Sequence, residues 1–159
     1  MPFYYDVIRQ ASSNGSGSTE STHLRFLTVA NQQEAKIKTL FGSAVFGTAG
    51  GGKLRAYQGT TPSSGGTAAT VSKRNPNNPA AQLTAFNDAT AITPASGTVV
   101  QRLSVGFAQT GGQGAWMALE PDDAITLLPN AGANGNLDIA SICNGTTVAL
   151  DIKVGHSEG

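Results

Sequence analysis

Apolar and polar positions alternate in short runs along most of this chain, and clusters of Gly, Pro, Asn and Ser separate the runs. In residues 24–30, Leu24 and Phe26 fall on one side of an extended chain, while Arg25 and Leu27 fall on the other. A two-residue period is typical of half-buried β-strands. The pattern therefore predicts an all-β protein with about eight to ten strands and little helix.

The predicted strands are distributed over the whole sequence at uneven spacing. They cover residues 3–9, 24–30, 35–46, 53–57, 67–73, 99–107, 115–119, 124–128, 137–142 and 147–154. No unit of about 20–50 residues repeats, which argues against a propeller or a solenoid. We expect a single domain over residues 1–159, folded as an antiparallel sandwich, a jelly roll or a barrel.

Residues 31–41 are the segment where a helix competes with a strand. Residues 32–36 are good helix formers, and Asn31 could cap them. The residues that follow lack an apolar stripe at helical spacing, and Gly42 comes directly after them. We therefore favour a turn at residues 31–34 that leads into a strand over residues 35–46.

Two segments are predicted to be extended loops or arms. Residues 11–19 are rich in Ser and Gly, which is typical of a flexible loop. Residues 74–81 contain Pro76 and Pro79, which cannot donate to a strand ladder. We expect residues 74–81 to form an ordered loop or arm on the surface.

The chain carries few charges. Charged residues make up 13% of the 159 residues, against about 25% in an average soluble protein. Ten Lys and Arg balance ten Asp and Glu, so the net charge is zero. Because a protein without net charge tends to associate, we expect an oligomer.

The charges are unevenly distributed along the sequence. Residues 1–79 contain eight basic residues and three acids, whereas residues 80–159 contain two basic residues and seven acids. This asymmetry is either a chance distribution that folding scrambles or a source of complementary faces that guide docking. Nucleic acid is not an expected partner, because the basic residues form no run and alternate with an aromatic residue only in residues 53–57.

The single cysteine, Cys143, excludes an internal disulfide bond. It lies in an apolar run, where a small buried side chain is the expected role. The first ten residues mix polar and aromatic types and do not resemble a signal peptide. No apolar run approaches the roughly 20 residues of a membrane span. We expect synthesis in the cytoplasm and no membrane partner.

One glycine-rich segment approaches a phosphate-binding loop. Residues 47–54 fit G-x-x-x-x-G-K but end in Leu54, where that loop needs a hydroxyl for Mg²⁺. The residues after Lys53 also look like a strand, whereas the phosphates need a helix N-terminus. A glycine-rich hairpin turn is the preferred interpretation, and no cofactor is expected.

No arrangement of residues predicts an enzyme. Glu120, Asp122 and Asp123 could hold Ca²⁺, but solvated acids that oppose aggregation explain them equally well. His23 and His156 are too few for a zinc site, even with Cys143 as a third ligand. We interpret His23 as a loop histidine and His156 as part of a fraying terminus, and we expect neither a metal nor a catalytic role.

Several turn and loop sequences carry a resemblance that covers most of the chain. They are Met1-Pro2-Phe3-Tyr4, residues 47–55, residues 61–68, the loop from Asn75-Pro76 to Asn78-Pro79-Ala80-Ala81, and residues 106–110 through Trp116 to Glu120-Pro121. In these segments the chain resembles the head decoration, or cement, proteins of tailed bacteriophages, which have a jelly-roll fold.

The resemblance implies a structural virion protein without catalytic residues. Such proteins trimerise on the outer capsid surface and clamp neighbouring major capsid subunits. The implied partners are therefore the major capsid protein, further copies of this chain and other minor virion proteins. The implied location is the exterior of the capsid, after synthesis in the host cytoplasm.

The candidate interface combines a terminal aromatic strand with the proline-containing loop. Both are elements that could reach across subunits, although docking of the aromatic residues within the chain is the simpler use. The candidate residues are Phe3, Tyr4, Tyr5, Arg74, Asn75, Pro76 and Pro79.

A function of a different class remains open at the sequence level. A carbohydrate- or receptor-binding β-sandwich from a phage head fibre or tail would use Trp116 with the acids at residues 120–123. Trp116 is otherwise a core residue. Binding of a glycan or of Ca²⁺ by the isolated chain would favour this alternative.

Overall fold

A computed structural model describes residues 1–10, 17–28, 33–46, 51–61, 65–92, 96–108, 114–118, 124–129, 135–144 and 147–159. Within these ranges the chain forms twelve β-strands and no helix. The strands are β1 (Phe3–Arg9), β2 (Gly17–Leu27), β3 (Ala35–Phe46), β4 (Gly51–Thr61), β5 (Thr67–Ala68), β6 (Val71–Lys73), β7 (Thr84–Ile92), β8 (Ser96–Ala108), β9 (Gly114–Ala118), β10 (Ile125–Leu127), β11 (Asn136–Asn144) and β12 (Thr147–Glu158).

The strands form two antiparallel sheets of six strands each. Sheet A has the order β10-β3-β12-β1-β6, and β9 also pairs with β3. Sheet B has the order β5-β7-β2-β11-β4-β8. In sheet A, β10 pairs with residues 35–37 and β9 with residues 39–43, so the two short strands lie end to end along the same side of β3.

Eight of these strands have the jelly-roll order. In sheet A, β1 pairs with β12, β12 with β3, and β3 with β9. In sheet B, β2 pairs with β11, β11 with β4, and β4 with β8. If these eight strands are named B to I in chain order, they form the B-I-D-G and C-H-E-F sheets of a jelly roll. The predicted all-β sandwich is confirmed, and β5, β6, β7 and β10 are added at sheet edges.

The core lies between the two sheets and is built from the alternate positions of their strands. Sheet A contributes Val7, Ala35, Ile37, Leu40, Ile125, Leu127, Leu150, Ile152 and Val154, and sheet B contributes Leu24, Phe26, Leu54, Ala56, Ala85, Leu137 and Ile139. A Cβ at Gly42 of β3 would overlap the Leu54 side chain, so glycine permits the two sheets to approach closely there. Alternation of this kind leaves the other half of the strand residues on the outer faces.

Several predicted strand boundaries agree with the structure, and one loop does not. Strands β1 and β3 have the predicted bounds, and the strand over residues 35–46 confirms that the helix alternative was wrong. The predicted loop at residues 11–19 is wrong at its end, because β2 begins at Gly17 and pairs there with Cys143 of β11. Residues 11–16 lie outside the described part of the chain.

The region between β4 and β8 differs most from the prediction. The predicted strand at residues 67–73 is two short strands, because the chain leaves sheet B after β5 and joins sheet A at β6. The Ala69 N–H still donates to the Ala85 carbonyl of β7 (2.9 Å), while β6 pairs with β1. Strand β7 was not predicted at all. Its Ala, Asn and Asp residues have low strand propensity, and pairing with β2 overrides it.

No helix in the described part of the chain is long and apolar enough to cross a membrane.

Candidate protein-protein interface

The fold brings β1 together with residues 74–83, the segment that joins β6 to β7 and that we name the strap. The Tyr4 carbonyl of β1 accepts a hydrogen bond from the Arg74 N–H (3.1 Å) and another from the Asn78 side-chain amide (3.1 Å). The candidate residues from the two distant parts of the sequence are therefore neighbours in space. Six of the seven, namely Phe3, Tyr4, Arg74, Asn75, Pro76 and Pro79, form what we call the strap surface.

The tip of the strap is a turn whose residues suit its geometry. Asn75 and Asn78 close the turn, because the Asn78 N–H donates to the Asn75 carbonyl (2.9 Å). The Asn75 side chain accepts a further hydrogen bond from the Asn77 N–H (3.0 Å). Pro76 occupies the position where a fixed φ favours the turn. An exposed tip is thus held in one conformation, which lowers the entropy cost of binding a partner.

Tyr5 does not belong to this surface, which corrects the sequence prediction. Its side chain is 0% exposed and stacks on the His156 ring, with centroids 5.3 Å apart. Its hydroxyl donates to the Pro79 carbonyl (3.2 Å). Burial, and secondarily the charge of Glu158, raises the pKa of Tyr5. Tyr5 fastens the strap from inside the fold and is not available to a partner.

The Arg74 side chain fastens the beginning of the strap to the outer face of sheet A. Its Nε and Nη2 atoms donate to one oxygen of Asp6 (2.9 and 2.7 Å), and Lys153 Nζ lies 3.2 Å from the other oxygen. Gly155 lies beneath this contact. A Cβ there would overlap both the Arg74 guanidinium and the Thr39 hydroxyl. Glycine at position 155 therefore leaves the space that the arginine occupies.

Opposing effects determine the charge state of Asp6. Burial alone would raise its pKa, but hydrogen bonds from Arg74 and Lys153 and the charges of both residues outweigh burial and lower the pKa. Asp6 thus remains a carboxylate at neutral pH and holds two cations. Sequence reasoning did not single out Asp6. A lone acid between Tyr4 and Ile8, at alternate positions of a strand, is the signal that could have identified it.

Glu158 fastens the other end of the strap. Its carboxylate accepts hydrogen bonds from the Gln82 N–H (3.1 and 2.9 Å to the two oxygens) and from the Leu83 N–H (2.9 Å). His156 Nε2 lies 3.2 Å from the same Oε1 atom. Burial alone would raise the pKa of Glu158, but the hydrogen bonds from His156, Gln82 and Leu83 outweigh burial and lower the pKa.

The prediction of a fraying C-terminal end is therefore wrong. Strand β12 continues to Glu158 and pairs with β1 on one side and β3 on the other. His156 is fully buried between Tyr5 and Phe26. Central pairing on both sides, which the sequence near a chain end does not indicate, explains the difference.

Exposed apolar side chains are concentrated on and next to β1. Among the residues whose side-chain burial the structure describes, the exposed large hydrophobic ones are Met1, Tyr4, Ile8 and Leu128, and the first three lie on or next to β1. Tyr4 and Ile8 lie on the same face of β1, on either side of Asp6, and are 42% and 52% exposed. Apolar groups next to charged groups are common in protein interfaces.

The outer face of sheet B is organised differently. Phe86, Arg25, Asp138 and Tyr57 are successive cross-strand neighbours, and we name them the sheet B row. The Arg25 guanidinium lies 4.2 Å from the centroid of the Phe86 ring, a cation–π contact. Asp138, at the centre of the row, is completely buried although it lies on the face opposite the core.

His23 lies beside this row. The interpretation of His23 as a loop histidine, made from the sequence, is wrong. It belongs to β2, is buried, and its Nε2 atom lies 2.7 Å from the Ser141 hydroxyl. Burial, and secondarily the positive charge of Arg9, lowers the pKa of His23 to about 4. A serine next to a histidine suggests a nucleophile, but Ser141 is fully buried and a substrate cannot reach it in this structure.

The other residues considered for chemistry form no site in the described chain. Strand β4 continues through Lys53 and Leu54, where a phosphate-binding loop would need a helix. No group of three or more His, Cys, Asp and Glu that could hold a metal ion occurs among the described residues. The acids at residues 120–123 lie outside those residues. Trp116 belongs to β9, where it pairs with Phe41 of β3, and Cys143 belongs to β11.

Comparisons with known proteins give no family assignment. No family model matches the sequence, and no curated protein matches it. Among solved structures, a decameric BFDV capsid protein is 13% identical, with 100% of both chains covered and a TM-score of 0.40. A 60-mer of BFDV capsid protein is 11% identical, with 99% of this chain and 93% of that chain covered and a TM-score of 0.34.

A third similar structure is that of a marine algae virus of the order Picornavirales. It is 12% identical, covers 95% of this chain and 67% of that chain, and has a TM-score of 0.30. All three are virus or capsid structures, and none is described as a decoration protein. At these TM-scores the likeness establishes neither fold nor function, so the jelly-roll assignment is based on the strand pairing.

Proposed function

We propose that this chain is a structural virion protein of the decoration or cement type, which binds the outer surface of a capsid and stabilises contacts between major capsid subunits. The proposal combines two arguments. The turn and loop sequences resemble those of cement proteins, and the strand order is that of the jelly roll that this resemblance implies. Because one fold serves many functions, the binding role needs support from a surface.

The observation that carries the proposal is the strap surface. It joins residues from two distant parts of the sequence into one internally hydrogen-bonded element at an edge of the sandwich, and all of its six residues except the half-buried Phe3 are exposed. Exposed Tyr4 provides apolar area and Arg74 provides a cation, two residue types that are enriched in interface hot spots. We propose that the strap surface contacts the major capsid protein.

The proposal includes an oligomer, a homotrimer on the capsid exterior. Three copies would bring three strap surfaces to one capsid site, so that modest single contacts add through avidity. The proposed partners on the particle also include other minor virion proteins. An enzymatic role is not proposed, because the buried Ser141 and His23 are inaccessible to a substrate.

The mass of the purified chain in solution, and its sedimentation with emptied capsids of its source, test this function together. We expect a trimer by light scattering and a fixed ratio of chain to capsid subunit in the pellet. A monomer that stays in the supernatant at every capsid concentration would contradict the proposal. Binding of a glycan or of Ca²⁺ by that monomer would instead support the carbohydrate- or receptor-binding alternative.

A further inference from the structure

The strap is held to the sandwich at both ends by carboxylates. At its beginning, Asp6 of β1 binds the Arg74 side chain through two hydrogen bonds to one oxygen. At its end, Glu158 of β12 accepts the backbone N–H groups of Gln82 and Leu83. The two carboxylates lie on neighbouring strands of sheet A, which pair along the length of β1.

Between these two ends, hydrogen bonds rather than apolar contacts hold the strap. In its middle, the Asn78 side-chain amide donates to the Tyr4 carbonyl, and the Pro79 carbonyl accepts a hydrogen bond from the Tyr5 hydroxyl. Most strap residues are exposed, and Leu83, at the boundary with β7, is the one that joins the core. A segment with little buried apolar area opens at a lower free energy than the core strands do.

We propose that the strap is an acid-released latch: when Glu158 and Asp6 take up protons, residues 74–83 detach as a unit while the jelly roll stays folded. The reason lies in the donors that surround Glu158. Its Oε1 atom receives the N–H groups of Gln82 and Leu83 and faces His156 Nε2, and Oε2 receives the Gln82 N–H. When this carboxyl group is protonated, it carries an O–H donor that faces these N–H donors, and it has less capacity to accept their hydrogen bonds.

The groups that face the two carboxylates come from each neighbouring element. Tyr5 of β1 and His156 of β12 face Glu158. Ala35 of β3 lies opposite Glu158, and on either side of it Glu34, which precedes the strand, and Lys36 are paired with each other at 3.1 Å. Arg74 of the strap and Lys153 of β12 face Asp6.

The direction of the pH effect follows from the lowered pKa values of Asp6 and Glu158. A carboxyl group with a lower pKa in the folded state stabilises that state above its unfolded pKa, which is about 4 for Asp and Glu. The stabilisation is lost as the pH falls below that value, through the folded pKa. The strap is therefore expected to be attached at neutral pH and to open in acid.

Amide hydrogen exchange of the isolated chain, measured by NMR between neutral and acidic pH, tests the latch. We expect the amides of Gln82 and Leu83 to lose protection at a higher pH than the amides of Ile152 and Val154 in β12. Loss of protection by all four at the same pH would overturn the proposal.

A variant tests the same point at constant pH. Glu158→Gln keeps the size of the side chain but replaces one acceptor oxygen by a donor. We expect protection of the Gln82 and Leu83 amides to fall about tenfold or more at neutral pH, while β12 stays protected. Glu34→Gln is the matched control, since it removes an exposed acid near the same end of sheet A and leaves the strap protected. A strap that stays protected in Glu158→Gln would overturn the latch.

Asp6→Asn provides a second variant if Glu158→Gln does not fold. Its side chain lies on the outer face of sheet A, so its replacement leaves the core intact. We expect protection of the Asn78 amide, which closes the turn at the strap tip, to fall at neutral pH. An Asn78 amide as protected as in the unsubstituted chain would contradict the role of Asp6.

Only the biological consequence of the latch rests on the proposed function. If the strap surface binds capsids, sedimentation with capsids should decrease over the pH range in which the strap opens. Binding that persists after the strap has opened would overturn the regulatory role and leave the proposed function in place. A chain that binds no capsid at any pH but shows the exchange pattern would contradict the proposed function and leave the latch supported.

Discussion

The outer faces of the two sheets differ in where their charged side chains lie. On sheet A, Asp6 binds Arg74 and Lys153 at the surface, and the apolar side chains of Tyr4 and Ile8 stay exposed beside them. On sheet B, Asp138 is buried among its neighbours, and Arg25 is only 8% exposed. In the sheet B row the Arg25 side chain packs on the Phe86 ring, whereas Tyr4 and Ile8 of β1 keep exposed apolar area that a partner could cover.

This difference indicates where stability and binding are located. A buried charge is costly to leave without the groups that pair with it. An exposed ion pair contributes about 1 kcal/mol or less to stability and is open to exchange with a partner. We therefore expect substitutions in the sheet B row to affect stability and substitutions in the strap surface to affect binding.

Removal of the central acid of the sheet B row should have the largest effect. Asp138→Ala leaves the buried Arg25 without the acid directly opposite it, and we expect the free energy of unfolding to fall by about 3–5 kcal/mol. Urea denaturation at neutral pH measures this change. The control is Glu34→Ala, which removes an exposed acid that is paired with Lys36. We expect it to change the free energy of unfolding by about 0.5 kcal/mol or less. Equal effects of the two substitutions would remove the distinction between the faces.

The pH dependence of stability separates the two regions further. Because the pKa of His23 is about 4 in the folded state and about 6.5 in an unfolded chain, the folded state is favoured most above the unfolded value. This stabilisation, about 3 kcal/mol in size, is lost as the pH falls from about 6.5 to 4. Asp6 and Glu158, the carboxylates that hold the strap, take up protons only below that range.

Denaturation curves at a series of pH values test the assignment to His23. In His23→Gln, which keeps a polar side chain next to Ser141, the decrease between about pH 6.5 and 4 should disappear. The same slope in the variant as in the unsubstituted chain would show that another group causes it.

Loss of the Tyr5 hydroxyl should have the smallest effect. Tyr5→Phe removes the hydrogen bond to the Pro79 carbonyl but keeps the ring stacked on His156, so we expect a loss of about 1 kcal/mol. Tyr4→Phe, on the exposed side of β1, should change stability by less. Urea denaturation of the two variants makes this comparison, and a larger effect at Tyr4 would contradict the burial assigned to Tyr5.

The sequence predicted the strands where local pattern and pairing agree. Strands β1 and β3 alternate clearly and have the predicted bounds. Strand β7 could not be recognised, because its Ala, Asn and Asp residues are stabilised as a strand only by pairing with β2. The end of β12 was misread because pairing with both β1 and β3 is a property of the whole sheet.

The candidate interface shows a similar division. Its aromatic and proline-containing segments were found from residue types, but sequence could not show that Arg74 and Tyr4 are neighbours, since they lie 70 positions apart along the chain. Nor could it show that Tyr5 points inward and Tyr4 outward, which depends on the face of β1 that the core covers. Asp6 and Glu158 were missed because their partners lie 68 and 76 positions away.

One comparison of two variants tests most directly whether the strap surface is the binding face. Tyr4 and Leu128 are large apolar residues with nearly equal exposure, 42% and 41%, but only Tyr4 belongs to the strap surface. In sedimentation with capsids, we expect Tyr4→Ala to weaken binding about tenfold or more and Leu128→Ala to leave binding unchanged. Equal binding by both variants, or loss of binding in Leu128→Ala alone, would contradict the account.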